Sequence, residues 1–140
     1  MKFALFILAS WLEKDTSAQS RIYDEALEQV EFAEELGFDS VWVAEHHSSR
    51  YGIFPSLTPI LSYMAARTKK IRIGTGVSVL PFHNPIRLAE EAAMLDLLSH
   101  GRLEFGVGIG VREHEFLRWK TPWSQRRAMG VEALEIIEQA

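Results

Sequence analysis

The chain has 140 residues and no cysteine; 15 basic against 19 acidic side chains give a formal net charge of −4, and 47% of residues are hydrophobic and 24% charged. Such a composition belongs to an ordinary globular domain and excludes a disordered tail, a collagen-like repeat and a disulfide-stapled module. The mild acidity gives no electrostatic reason to bind nucleic acid or an anionic membrane, and the doublets Lys69-Lys70 and Arg126-Arg127 read as solvated helix ends.

From the N-terminus, the apolar run Phe3 to Leu8 has only Lys2 before it and Trp11-Leu12-Glu13 after it. It is too short to cross a bilayer and lacks a signal-peptide layout, so a buried strand and a cytoplasmic protein are expected. A helix is predicted from about Ser20 to Leu36, with Ile22, Ala26, Val30 and Ala33 on one stripe and Gly37 as its left-handed stop. The next strand is Ser40 to Ala44. Thr58-Pro59 then starts a second helix that turns Leu61, Met64 and Ala65 inward.

Ile71 to Val79 reads as the third strand, and Asn84-Pro85 opens a third helix that buries Leu88, Ala92 and Leu95 and ends before Gly101. Leu103 to Ile109 is the fourth strand, and a fourth helix begins near Ser124 and is still periodic at Leu134 and Ile137. The apolar runs are continuous, as in a parallel sheet covered on both faces, and they recur at roughly the thirty-residue spacing of a βα step. No linker divides the chain, so residues 1–140 are expected to form one α/β domain. Four βα units fit either an open doubly wound sheet or half of a (β/α)₈ barrel, a fold of about 250 residues.

Both architectures place chemistry where strand C-termini enter their loops, which selects Ala9 to Ser20, Glu45 to Pro55, Val77 to Asn84 and Gly108 to Pro122. Glu45-His46-His47 is the strongest cluster. Alternation along an extended chain puts Glu45 and His47 on one side and His46 on the other, free to point into the mouth. A metal site using these residues with His83 and His114 is one rival, although adjacent histidines chelate poorly, and hydrogen bonding without chemistry is another. Gly106-x-Gly108-x-Gly110 lacks the last small residue of a dinucleotide fingerprint, because Val111 stands there; close backbone packing and approach to a flat ligand both remain open. Arg112 to Glu115 reads as a charged loop. Trp42 reads as core, whereas Trp11, Trp119 and Trp123 could wall an aromatic ligand.

Three linked stretches carry a resemblance: Gly37-Phe38-Asp39-Ser40-Val41-Trp42-Val43-Ala44-Glu45-His46-His47; Gly74-Thr75-Gly76-Val77-Ser78-Val79-Leu80-Pro81 with Asn84-Pro85; and Gly101-Arg102-Leu103 leading into Gly106-Val107-Gly108. In order and spacing the whole chain resembles the bacterial luciferase-like flavin monooxygenases. The resemblance implies the first four βα units of a (β/α)₈ TIM barrel that uses reduced FMN, or F420 in one branch. In the oxygen-using branch the substrates are dioxygen and a small organic molecule, and a separate NAD(P)H:flavin reductase commonly supplies the reduced flavin.

By the same resemblance, His46 is the active-site histidine, acting in proton transfer or hydrogen bonding. Phe6 lines the flavin pocket, Glu45 supports the loop or touches flavin, and Gly76-Val77 is a non-prolyl cis peptide beneath the flavin ring. Gly108 and Ile109 stand where luciferases carry a reactive thiol and a phosphate-approaching arginine, and Glu115-Phe116 resembles an acidic-aromatic pair of other branches. No metal is implied. Homo-oligomers are expected through the second and third helices, with Met64-Ala65-Ala66, Ala89 and Ala92-Ala93. The sequence stops within an amphipathic helix, which predicts a barrel only half present and weak or no flavin binding by the 140 residues alone. A noncatalytic flavin binder and a metal-dependent barrel hydrolase are the remaining expectations from other classes.

Overall fold

The computed structural model describes residues 1–12 and 18–140; positions 13–17 of the first strand-end loop lie outside the described residues. The strands are β1 (Ala4–Ile7), β2 (Ser40–Val43), β3 (Arg72–Thr75), β4 (Ser78–Val79), β5 (Leu103–Glu104) and β6 (Val107–Gly108). The helices are α1 (Ala18–Glu35), α2 (Leu57–Arg67), α3 (Pro85–Leu98), α4 (Glu113–Trp119) and α5 (Arg126–Gln139), with 3₁₀ turns at Leu80–Phe82 and Trp123–Gln125.

All strand pairs are parallel, in the order β1-β2-β3-β5, and β4 pairs with β6 as the continuation of β3 and β5. Parallel neighbours require crossover connections, here supplied by α1, α2 and α3, and the result is an arc of a βα barrel. The expected third strand is interrupted rather than continuous: the Gly76–Val77 peptide bond is cis, and pairing changes partner there from β2–β3 to β4–β6.

Side-chain alternation sorts the two faces. Val41, Val43 and Ile73 point toward Leu27 and Val30 of α1 and Leu61 and Met64 of α2, forming the main core. Truncating one of these, such as Leu61→Ala, costs about 2–5 kcal/mol in cores of this kind. On the opposite, concave face, Phe6, Trp42 and Gly74 stand in register. A Cβ on Gly74 would lie 2.6 Å from the Trp42 ring, so glycine there makes room for the indole.

Helix starts show how local chemistry sets the frame. Asn84 caps α3 by accepting from the Arg87 N–H at 3.1 Å, with proline following, as the sequence predicts. By contrast, α2 begins at Leu57 with Ser56 at the cap position and no side-chain cap bond, so the cap falls two residues before the expected threonine. Arg102 ties the end of α2 to β5 by donating to the carbonyls of Ala65, Thr68 and Ile71 and to the Thr68 hydroxyl. The Ala65 and Thr68 carbonyls belong to the end of the helix, where intrahelical partners run out.

The largest departure from expectation is α4. Arg112 to Glu115 is not a wholly solvated loop: a two-turn helix starts at Glu113, and Glu115 and Phe116 are buried. Phe116 meets Phe82 and Trp123 at ring-centroid distances of 4.5 and 5.0 Å, which fastens the short helix to the barrel wall.

Candidate functional site

The site begins where β2 ends. Glu45 and His47 pair with each other, in keeping with the shared side that the spacing predicts, while His46 takes a separate partner. Glu45 Oε1 lies 2.7 Å from His47 Nε2, both Glu45 oxygens lie 3.0 Å from His83 Nε2, and Oε2 accepts from the Val79 N–H at 3.0 Å. One buried carboxylate therefore joins the end of β2 to β4 and to the turn before α3.

Burial opposes the Glu45 charge, but the hydrogen bonds from His47 and His83, the His83 charge and the Val79 N–H hold its carboxyl below the usual value. For His83, burial works against protonation and the Glu45 contact outweighs it, so its pKa is raised. The His47 ring stands edge-on to Phe82 at 5.2 Å and to Trp119 at 5.0 Å. Trp119 packs against His47 and Phe82, and Trp123 against Phe116.

His46 has a different partner. Its Nδ1 lies 3.2 Å from Glu115 Oε1, which also accepts the His47 main-chain N–H at 3.1 Å. Burial lowers the His46 pKa first, the Arg112 charge lowers it further, and Glu115 opposes both without reversing the result. Over the other side of the ring, Gly52 is so close that a Cβ would collide with the imidazole, and Tyr51 lies 5.9 Å away.

Two cavities meet at this histidine. The inner one, of about 240 Å³, is lined by Ala44, Glu45, His46, Gly76, Val77 and Val79 from β2 to β4, and by Gly108 to Val111 with Glu115 from β6 to α4. The outer one, of about 450 Å³, lies between the β1–α1 and β2–α2 loops, with His46, Trp11, Tyr23 and Arg50 among its walls. Those loops pair in antiparallel fashion: Trp11 N–H donates to Arg50 O at 2.7 Å, Ile53 N–H to Ala9 O at 2.9 Å, and Ser10 bridges to Tyr51.

Of the residues singled out by sequence, His46, Glu45, Gly76, Val77, Gly108 and Ile109 come together around the inner cavity. Phe6 touches the rim, since a Cβ on Gly76 would lie 3.2 Å from its ring, but it lines a neighbouring depression and is 57% exposed. The Glu115 partnership was not visible from composition or spacing, because a two-turn helix is too short to show a period. Glu115-Phe116 followed by Trp119 was the available signal.

The inner lining fits the ring of a flavin. Glycines, alanine, valines and isoleucine make an apolar shelf with main chain close to the surface, and Glu45, His46 and Glu115 add polar groups to its lining. No cationic side chain lines that shelf among the described residues, so this part fits the ring and not a phosphate. Among the described residues there is also no group of three or more His, Cys, Asp or Glu side chains able to hold a metal ion, and no helix long and apolar enough to cross a membrane.

A parallel βα arc with its polar cluster at the strand C-termini is an enzyme architecture of the barrel class. The family of luciferase-like monooxygenases matches residues 1–140, and the chain belongs to that family. It is 38% identical over 118 residues to the oxygenase component of a flavin-dependent trigonelline monooxygenase from Acinetobacter baylyi, covering 84% of this chain and 32% of that protein.

Among solved structures, the monooxygenase RslO1 from Streptomyces bottropensis superposes with a TM-score of 0.91 at 33% identity, covering 98% of this chain and 42% of that one. An F420-dependent secondary alcohol dehydrogenase in complex with an F420–acetone adduct superposes with a TM-score of 0.75 at 28% identity, covering 98% and 41%. The chain therefore spans roughly a third to two fifths of the relatives it matches, and its fold is the corresponding part of their barrel.

Proposed function

We propose that the whole protein is a cytoplasmic flavin-dependent monooxygenase that uses reduced FMN and dioxygen on a small organic substrate, with residues 1–140 as the first part of its (β/α)₈ barrel domain. The observation that carries this reading is the His46–Glu115 pair at the edge of the apolar shelf. When bound, reduced flavin supplies the electrons that activate dioxygen. Gly76, Val77, Gly108 and Ile109 hold the flat ring, Phe6 closes the rim, and Glu45 keeps β2 and β4 in the spacing that forms the shelf.

A carboxylate oxygen accepts, so in its contact with Glu115 the His46 proton sits on Nδ1 and Nε2 keeps its lone pair. With its pKa lowered, the ring is a neutral base near pH 7 and can take a proton from a reacting hydroxyl and return it. The relative named as an oxygenase component supports a two-component arrangement, in which an NAD(P)H:flavin reductase delivers the reduced flavin. Exposed Ile86, Met94, Leu97 and Leu98 on α3 support association with a second copy.

Use of F420 in place of FMN is the second reading, favoured by the likeness to the F420-dependent dehydrogenase. Anaerobic titration of the full-length protein with reduced FMN and with reduced F420, followed by admission of oxygen, separates the two. Binding of FMN with oxygen uptake that collapses in His46→Ala is the expected result. Binding of neither cofactor would sink both readings, and unchanged turnover in His46→Ala would leave a flavin binder without this chemistry.

A further inference from the structure

The Glu45–His83 pair lies between two spaces that face different ways. Glu45 belongs to the lining of the inner cavity, with Gly76, Val77 and Val79. Its two oxygens lie 3.0 Å from Nε2 of His83, which lines a separate cavity of about 230 Å³ between the turn before α3 and Met129, Glu132 and Ile136 of α5. The carboxylate side chain is 1% exposed and that of His83 25%, so the histidine is the wet end of the pair.

The second ring nitrogen completes the path. His83 Nδ1 has no hydrogen-bond partner among the described residues, and no buried side-chain nitrogen or oxygen there lacks one, so Nδ1 reaches solvent. An imidazole with one nitrogen on a carboxylate and the other on water can take up a proton at one end and release one at the other. Glu45 at the end of β2 and Glu91 of α3 act on the ring, and Glu132 of α5 lines the same cavity. Burial disfavours the imidazolium, but Glu45 and Glu91 outweigh it, so the ring holds its proton more firmly than an ordinary histidine does.

We propose that His83 is a proton-relay residue, which carries protons between water on the outer wall of the barrel and the Glu45 carboxylate in the wall of the inner cavity. In one passage the Nε2–H bond of the imidazolium breaks and an O–H bond forms on Glu45, which cancels both charges and leaves a neutral ring with its proton on Nδ1. The ring reloads from water at Nε2 on turning outward, a movement for which its partial exposure leaves room, and Glu45 gives its proton up to the cavity. What draws on these protons rests on the monooxygenase reading: one oxygen atom of dioxygen leaves as water, taking two electrons from the reduced flavin and two protons.

The first test needs no cofactor. In the full-length protein the buried Nε2–H of His47, 2.7 Å from Glu45, should exchange with water through the carboxylate and His83. Its exchange rate, read by nitrogen-15 NMR, should fall several-fold in His83→Gln, whose amide can keep a hydrogen bond to Glu45 but does not pass a proton. A histidine that merely props the wall predicts the opposite sign, because its loss admits water and speeds the exchange. Faster or unchanged exchange would overturn the proposal.

The second test is turnover of the FMN-loaded full-length protein. In dilute buffer His83→Ala should lose about tenfold or more in kcat with KM unchanged. Free imidazole, which fits the volume vacated beside the cavity of about 230 Å³, should restore the rate in proportion to its concentration. A loss that imidazole does not repair, or turnover indifferent to the change, would also overturn the relay. Should His83→Ala fail to fold, the exchange rate in His83→Gln decides. Slowed exchange in a protein that takes up no oxygen would remove the monooxygenase reading alone.

Discussion

Glu115, buried on the first turn of α4 with 2% of its surface exposed, accepts a hydrogen bond from His46 across a sequence separation of 69 residues. The same oxygen accepts from the His47 main chain, so the carboxylate fixes both the imidazole and the loop that carries it. A histidine held on one nitrogen by a carboxylate presents the other with a defined role.

Replacing Glu115 by Gln tests that arrangement. The amide is nearly isosteric but can donate as well as accept, so it no longer forces the proton onto Nδ1. Turnover should fall by about 10²-fold or more through kcat with little change in KM, while His46→Ala should lose roughly 10²–10⁴-fold. Nitrogen chemical shifts of the His46 ring provide the check a merely structural role would not satisfy: they should report Nδ1–H in the wild type and a mixed tautomer in Glu115→Gln.

His46 should titrate below its ordinary value of 6.5, because burial and then the Arg112 charge disfavour the imidazolium. Activity that depends on the neutral ring should therefore already be past its half-maximum at that pH. Removing the Arg112 charge takes away one of the two opposing effects, so Arg112→Gln should move the midpoint upward. Proton NMR of the ring across the titration measures both; a midpoint that stays put in the variant would separate Arg112 from His46.

Much of this site is written in local sequence. The alternation Val43, Glu45, His47 against Ala44, His46 follows from extended backbone, and Asn84-Pro85 announces α3 without any knowledge of the fold. What was not legible depended on contacts between distant segments. Glu115 is an acid next to other charges, and only the Phe116–Phe82–Trp123 cluster explains why it is inside. The cis bond at Gly76–Val77 was expected from family resemblance, but neither apolar period nor propensity signals it, so the third strand looked unbroken.

Gly52 offers a test of how closely the loop holds the imidazole. Its φ of +73° is a left-handed conformation, and a Cβ there would collide with Cδ2 of His46. Gly52→Ala should destabilise the fold by about 1–3 kcal/mol and lower turnover by displacing the ring from Glu115. Gly37→Ala is the matched comparison, with φ +79° and nothing within 4 Å of the added methyl group. It should cost about 1 kcal/mol and leave the kinetics alone. Equal kinetic effects from the two changes would show that the Gly52 contact does not position His46.

The Glu45–His83 contact should make stability depend on pH in both directions. Glu45 has a lowered pKa in the fold, so its contribution is complete above the ordinary 4.5 and disappears as the pH falls through the folded value. His83 has a raised one, so its contribution is complete below 6.5 and disappears as the pH rises through the folded value. The window of full effect is thus between these two ordinary values. There His83→Gln should lose about 1–3 kcal/mol, less than for a fully buried pair because the histidine side chain is 25% exposed. Thermal melts of wild type and variant at several pH values should show the difference in Tm narrowing on the alkaline side, once His83 is neutral in both states. On the acid side it should narrow again as Glu45 protonates, since the carboxylate that made the imidazolium favourable is gone. A constant difference from about pH 5 to about pH 9 would mean that shape and neutral hydrogen bonding, not charge, join β2 to the turn before α3.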